Sequence, residues 1–149
     1  MADDDDALCE ILERCRTIAV VGIKAGAEDD AFRVPRYMQA HGYRIRPVSP
    51  KLDSVLGERC FASLADLDAP VELVNLFRAP QHLPAHVDEI LALDPLPLAA
   101  WFQLGIRSDA CAARLAEAGV RVVQDRCLMV EHARLFGRRA GRATRGVTP

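Results

Sequence analysis

Apolar positions in this chain follow two rhythms that alternate from one end to the other. Thr17-Ile18-Ala19-Val20-Val21-Gly22 is an unbroken run of β-branched and small apolar residues, the pattern of a strand buried on both faces. Before it, Ala7 to Arg14 sets Leu8, Ile11 and Leu12 at helical spacing, which predicts a short amphipathic helix over one edge of a sheet. After it, Phe32 to His41 offers Phe32, Val34, Tyr37 and Met38 as an apolar helix face, and Gly42 stops that helix. Tyr43 to Val48 reads as a second strand, although Pro47 lacks a ladder donor and is tolerable only near the strand's end.

The same alternation runs on. Ser63 with Asp66 resembles a capped short helix, Ser63 to Leu67, ahead of a third strand from Val71 to Phe77. Gln81 to Leu93 carries Leu83, Val87, Ile90 and Leu91 on one side and is the clearest helix. Leu98 to Phe102 is a fourth strand, Ser108 caps a helix from Asp109 to Ala118, and Gly119 ends it. Val120 to Gln124 is a fifth strand, and Met129 to Leu135 a last short helix.

Strands separated by helices imply parallel pairing through right-handed crossovers, hence an α/β three-layer sandwich on a five-stranded sheet. The order expected is 3-2-1-4-5, with a topological switch between the first and fourth strands. Ligands bind such sheets beyond the carboxyl ends of the strands at the switch. The segments that meet there are Gly22 to Arg33, Ser49 to Lys51, Phe77-Arg78, Gln103 to Arg107 and Asp125-Arg126-Cys127.

Length and composition narrow the classes. A chain of 149 residues, half of them apolar, suits one domain with one core. No stretch reaches the roughly 20 apolar residues that cross a bilayer, and Asp3 to Asp6 stand where a signal peptide would carry basic residues. A cytoplasmic protein is expected. A net charge of −2 argues against general nucleic-acid binding. The five cysteines, without a CxxC pair, suggest neither a disulfide framework nor a thiolate metal site. Residues 1–136 are expected to form the domain. Residues 137–149, with Arg138, Arg139, Arg142 and Arg145 and no acid, read as a basic, disordered tail.

The second strand ends in Ser49-Pro50-Lys51 rather than in a carboxylate. In a dinucleotide-binding unit an acid there binds the ribose hydroxyls and repels phosphate; Lys51, with Arg46 if the register allows, invites a ribose phosphate instead. Gly22 and Gly26 are spaced as GxxxG, so the GxGxxG fingerprint is absent, and Gly22 either cradles a ligand or only turns the chain. Phe77 and Arg78 supply an apolar plane and a donor fork, with Phe77 equally readable as core. Cys127 is a reactive thiol beside Arg126 or a packed one. His132 beside Glu131 has no nucleophile fixed near it, and a capping or surface role is expected.

These residues resemble a family of small stand-alone CoA-binding proteins with a Rossmann-like fold, related to the CoA-binding domain of succinyl-CoA synthetase. The likeness rests on Val20-Val21-Gly22-Ile23, Gly42-Tyr43-Arg44-Ile45, Pro47-Val48-Ser49-Pro50, Asn75-Leu76-Phe77-Arg78, Trp101-Phe102-Gln103-Leu104-Gly105-Ile106 and Asp125-Arg126-Cys127 followed by Glu131-His132. It implies a cofactor, coenzyme A, with its diphosphate at the Gly22 loop, its adenosine beside Lys51 and Phe77, and its pantetheine arm passing Gln103 to Gly105. The ligand-facing positions expected are Gly22, Ile23, Lys24, Arg33, Val48, Ser49, Pro50, Lys51, Phe77, Arg78, Gln103, Leu104, Gly105 and Cys127. No catalytic or metal-binding set is expected. The chain departs from the family where Ser49 replaces a usual Asn and where Glu28-Asp29-Asp30-Ala31 replaces an Arg- and Ser-bearing loop. Acids near a diphosphate are unfavourable unless they point to solvent.

The implied function is binding of CoA or an acyl-CoA without evident catalytic machinery, any reaction requiring a partner enzyme; a homo-oligomer is the other assembly to expect. An NADP-binding oxidoreductase and a thiol-active module forming a Cys127–CoA mixed disulfide are the alternatives.

Overall fold

The computed structural model describes residues 4–137, so the expected basic tail lies outside the described residues apart from Gly137. The helices are α1 (Asp5–Arg14), α2 (Asp30–Ala40), α3 (Leu83–Leu91), α4 (Asp109–Glu117) and α5 (Leu128–His132). The strands are β1 (Thr17–Val21), β2 (Arg44–Val48), β3 (Ser54–Val55), β4 (Glu58–Arg59), β5 (Leu73–Leu76), β6 (Ala99–Phe102) and β7 (Arg121–Val123). A parallel five-stranded sheet with flanking helices results, the α/β class expected.

Its order is β2-β1-β5-β6-β7, which corrects the expected 3-2-1-4-5. The third long strand lies beside the first rather than outside the second, and the switch falls between β1 and β5. Pro47 has a physical reason in this arrangement. With β2 at the sheet's edge, the Pro47 carbonyl faces outward and accepts from Phe61 N at 2.9 Å. The missing N–H points the same way, so no ladder bond to β1 is lost.

A small antiparallel hairpin, β3 paired with β4, follows β2 and was not expected. Its turn holds Leu56 at φ 55 and Gly57 at φ 76, the left-handed pair of a type I′ connection. The hairpin delivers Phe61, whose backbone bridges Val48 and extends the edge.

Alternation along the strands builds two cores. Ile18, Val20, Ile45, Leu73, Trp101 and Val123 face α1, α2 and α5, meeting Leu8, Ile11, Val34, Met38 and Leu128. Ala19, Val21, Val74, Leu76, Ala100, Phe102 and Val122 face α3 and α4, meeting Leu83, Val87, Ile90, Ala112 and Leu115. Strands buried on both faces account for their unbroken apolar runs. Among the described residues no helix is long and apolar enough to cross a membrane.

His132 is buried, which corrects the surface role expected for it. Its Nδ1 lies 3.0 Å from the Tyr37 hydroxyl, Phe136 stacks on it at 5.2 Å, and His41 and Tyr43 meet it edge-on. Burial first, then His41 and Arg16, pull its pKa from 6.5 down to about 4. The unfolded chain therefore takes up this proton at higher pH than the folded one. The resulting stability is complete above 6.5 and is lost as pH falls towards 4. Allowing for screening, this amounts to about 1–2 kcal/mol. In His132→Phe, urea midpoints measured between pH 4 and 6.5 are expected to show a shallower acid loss than in the parent; an identical slope would refute the assignment.

Candidate functional site

The site begins with one backbone contact. β1 and β5 pair in parallel, Val21 beside Leu76, so the residues that leave both strands run side by side. Gly22 adopts φ +85, and a Cβ there would lie 2.6 Å from the Phe77 carbonyl oxygen and 3.1 Å from Arg78 Cδ. Only glycine allows this passage. Gly22 N donates to Val48 O at 3.0 Å and Phe77 N to Val21 O at 2.9 Å, which locks three strand ends together.

Above this junction lies a cleft of about 360 Å³. Val21 and Val48 line it from the strand ends, Gly22 to Ala25 from the β1 loop, and Ser49 to Leu52 from the β2 loop. Ala62 and Ser63 contribute from beyond the hairpin, Arg78 from the β5 loop, and His86 and Glu89 from α3. Ser49 is buried, and its Oγ accepts from Lys51 N at 3.1 Å. That bond turns the chain at Pro50 and presents the exposed Lys51 at the rim.

A second pocket, about 310 Å³, shares Lys24 and Arg78 with the first and continues over Phe77, Gln103, Leu104, Ile106 and Cys127. A third, about 340 Å³, shares Leu104 and Cys127 with the second and adds Arg107, Gln124, Arg126 and Val130. The three form one trough along the carboxyl ends of the strands. Its first part holds Lys24, Lys51 and Arg78 against Glu89, while its later parts carry an amide and a thiol among charges of both signs, Asp29 and Asp30 in the second pocket and Arg107, Asp125, Arg126 and Glu131 in the third.

Gln103 is buried, and its Oε1 receives Asn75 Nδ2 at 3.4 Å and Leu128 N at 3.3 Å. With the oxygen held twice, the amide NH2 is the end left for the pocket. Arg78 Nε is buried and has no hydrogen-bond partner among the described residues. Asp125, at φ 57, accepts from Gly105 N at 2.7 Å and so ties the β6 loop to the β7 loop.

Twelve of the expected residues line the trough: Gly22, Ile23, Lys24, Val48, Ser49, Pro50, Lys51, Phe77, Arg78, Gln103, Leu104 and Cys127. Arg33 does not; its Nη1 pairs with Asp30 Oδ1 at 3.3 Å on the exposed face of α2. Gly105 shapes the neighbouring turn at φ +84 without lining a pocket. Phe77 belongs to the second pocket, apart from Lys51 in the first. Arg46 does not aid Lys51, since it pairs with Asp68 at 3.7 Å. Glu28, Asp29 and Asp30 are exposed, and Asp29 and Asp30 line the second pocket beside Lys24. Glu131 and His132 form no acid/base pair, because Glu131 turns to Arg134 at 2.7 Å and Arg126 at 3.3 Å.

Leu52, Ala62, Ser63, His86 and Glu89 escaped sequence reasoning. The spacing of His86 and Glu89, on the polar flank of a strongly periodic helix, was the available signal. Among the described residues no cluster of His, Cys, Asp and Glu could hold a metal ion.

Comparison with known proteins identifies the family and the fold. The profile of a CoA binding domain matches residues 16–133. The uncharacterized protein YneT of Bacillus subtilis is 38% identical over 124 residues, covering 83% of this chain and 90% of that one. A solved Thermus thermophilus protein, cell-free ID.343, superposes with a TM-score of 0.84 at 44% identity, covering 89% of this chain and 99% of its own. A hypothetical protein from Pyrococcus horikoshii OT3 gives 0.84 at 35% identity, over 89% and 92%. The dinucleotide forming acetyl-coenzyme A synthetase 1 of Ca. Korarchaeum cryptofilum shares the fold at a TM-score of 0.61 and 18% identity, over 72% of this chain and 25% of its own. The chain belongs to the CoA binding domain family.

Gly22→Ala tests the junction. Its left-handed φ and the clash with backbone at Phe77 are expected to cost about 2–4 kcal/mol together, read as a lowered urea midpoint. A loss below about 0.5 kcal/mol would show that the loops separate freely.

Proposed function

From membership of that family, we propose that this protein binds coenzyme A or an acyl-CoA, extended along the trough, without catalytic machinery of its own. One observation carries the reading: the pockets are consecutive, with Lys24 and Arg78 shared by the first two and Leu104 and Cys127 by the last two. A ligand matched to this sequence has an anionic end, a neutral amide-bearing arm and a thiol or thioester at its tip. CoA has that order.

Arg78 stands where the first two pockets meet, and its guanidinium offers charge-assisted hydrogen bonds to the diphosphate. The Lys24 ammonium adds to that anion site. Lys51 at the rim suits the ribose phosphate, while Leu52 and Ala62 give the adenosine apolar contact. The Gln103 amide faces a pantetheine carbonyl. An NADP ligand shares the cationic end, but the amide and thiol further along the trough favour the pantetheine arm.

Isothermal titration of CoA-free protein is expected to give saturable heat with CoA at micromolar concentrations; no heat at high micromolar concentration would sink the reading, and NADPH in the same cell separates the NADP alternative. Lys51→Glu is expected to weaken CoA by roughly tenfold or more while leaving dephospho-CoA within about twofold. Equal losses for both ligands would remove Lys51 from the ribose phosphate.

A second reading follows from Cys127, half-buried where the second and third pockets meet. Its thiolate there can attack CoA disulfide, forming a protein–CoA disulfide and releasing one CoA thiol. Intact mass after incubation with CoA disulfide is expected to rise by one CoA and to stay unchanged in Cys127→Ser. An unmodified parent protein would eliminate this reading and leave reversible binding intact.

A further inference from the structure

α3 brings into the cleft a side-chain pair for which the CoA contacts above have no role. The helix buries Leu83, Val87 and Ile90, and its His86 and Glu89 line the cleft together with the β1 and β2 loops. His86 Nδ1 and Glu89 Oε1 are 2.7 Å apart, with side chains 18% and 29% exposed. Nδ1 is thereby committed, and Nε2 has no partner among the described residues.

A carboxylate is out of place in an anion-binding cleft if it meets phosphate directly, since like charges repel. Held behind an imidazole it does something different. It fixes which ring nitrogen faces the cleft, and it stabilises positive charge on the ring once an anion arrives on the other side. Resting on the CoA reading, we propose that His86, oriented by Glu89, donates through Nε2 to a phosphate of the bound ligand and takes up a proton as the ligand binds.

The surrounding charges make the coupling work. Lys24, Lys51 and Arg78 line the same cleft from three different loops, and Glu89 comes from the helix itself. Asp66, beyond Ser63, is engaged by the Ser63 N–H and hydroxyl. Asp88 on α3 is held by Arg114 of α4 at 2.6 Å. An arriving phosphate adds negative charge on the open side of the ring, which together with Glu89 on the other side favours the protonated imidazole. The proton comes from the buffer, and no bond of the ligand breaks.

Calorimetric titration of the CoA-free full-length chain, at one near-neutral pH in phosphate-free buffers of different ionisation enthalpy, counts the protons taken up per ligand. Net uptake is expected with CoA, lost in His86→Asn together with roughly tenfold of affinity, and reduced in Glu89→Gln. Glu89→Gln keeps an acceptor for the ring and so serves if His86→Asn fails to fold. Uptake with CoA but not dephospho-CoA assigns the contact to the ribose phosphate, and uptake with both assigns it to the diphosphate; either supports the proposal. CoA binding without uptake, or uptake unchanged in both variants, overturns it and leaves the CoA reading standing. No CoA binding at all overturns the CoA reading itself.

Discussion

The close passage of Gly22 under the Phe77 carbonyl is the constraint on which the site depends. Parallel pairing of β1 with β5 puts Val21 opposite Leu76, and the following residues have nowhere to go but past each other. With a side chain at Gly22 the two loops would have to part, since a Cβ would stand 2.6 Å from a backbone oxygen. Arg78 would then leave the point where the first two pockets join. One residue without a Cβ thus holds the strand ends, the guanidinium and the β1 loop in one arrangement. The familiar glycine fingerprint is absent, yet the physical reason for a glycine, close approach of backbone, is met at this position.

Most of the elements are legible in the sequence because each has a period of its own: strands buried on both faces read as unbroken apolar runs, and amphipathic helices repeat at helical spacing. Their spatial order is less so, because alternation implies parallel pairing without saying on which side of β1 a crossover returns. Pro47 held that information. A proline in the middle of β2 makes sense with an open outer edge, and β2 is an edge strand. The β3–β4 hairpin escaped because two-residue strands have no period to read. Its turn was also masked by Leu56 in a left-handed conformation usually left to Gly or Asn.

The residues that line the trough divide in the same way. Those on loops that leave a strand end were legible, since topology alone sends such loops to one rim. Arg33 lines none of the three pockets and pairs instead with Asp30. The acids of the β1 loop are exposed, where solvent screens them, yet Asp29 and Asp30 line the second pocket, and Asp30 is offset by its pairing with Arg33. His86 and Glu89 were hidden by the success of the helical reading. Once Leu83, Val87 and Ile90 explain α3, its polar flank looks like ordinary solvent-facing surface until the fold shows what it faces.

The far half of the trough is organised by the Asn75 and Gln103 amides rather than by charge. Asn75 is fully buried in β5, and its Nδ2 reaches both Trp101 O at 3.3 Å and Gln103 Oε1 at 3.4 Å. Its own Oδ1 has no partner, a sacrifice of about 1–3 kcal/mol with a return in orientation. Together with Leu128 N, Asn75 forces the Gln103 amide to present its donors. A glutamate at this position would keep both incoming hydrogen bonds but offer the pocket a carboxylate, which repels a carbonyl oxygen. The choice of amide over acid, and its enforcement from two elements, marks this half of the trough for a neutral acceptor. The first pocket carries three cations against one carboxylate, whereas in the third Arg107 and Arg126 are matched by Asp125 and Glu131, so the net positive charge of the trough is concentrated at its first end.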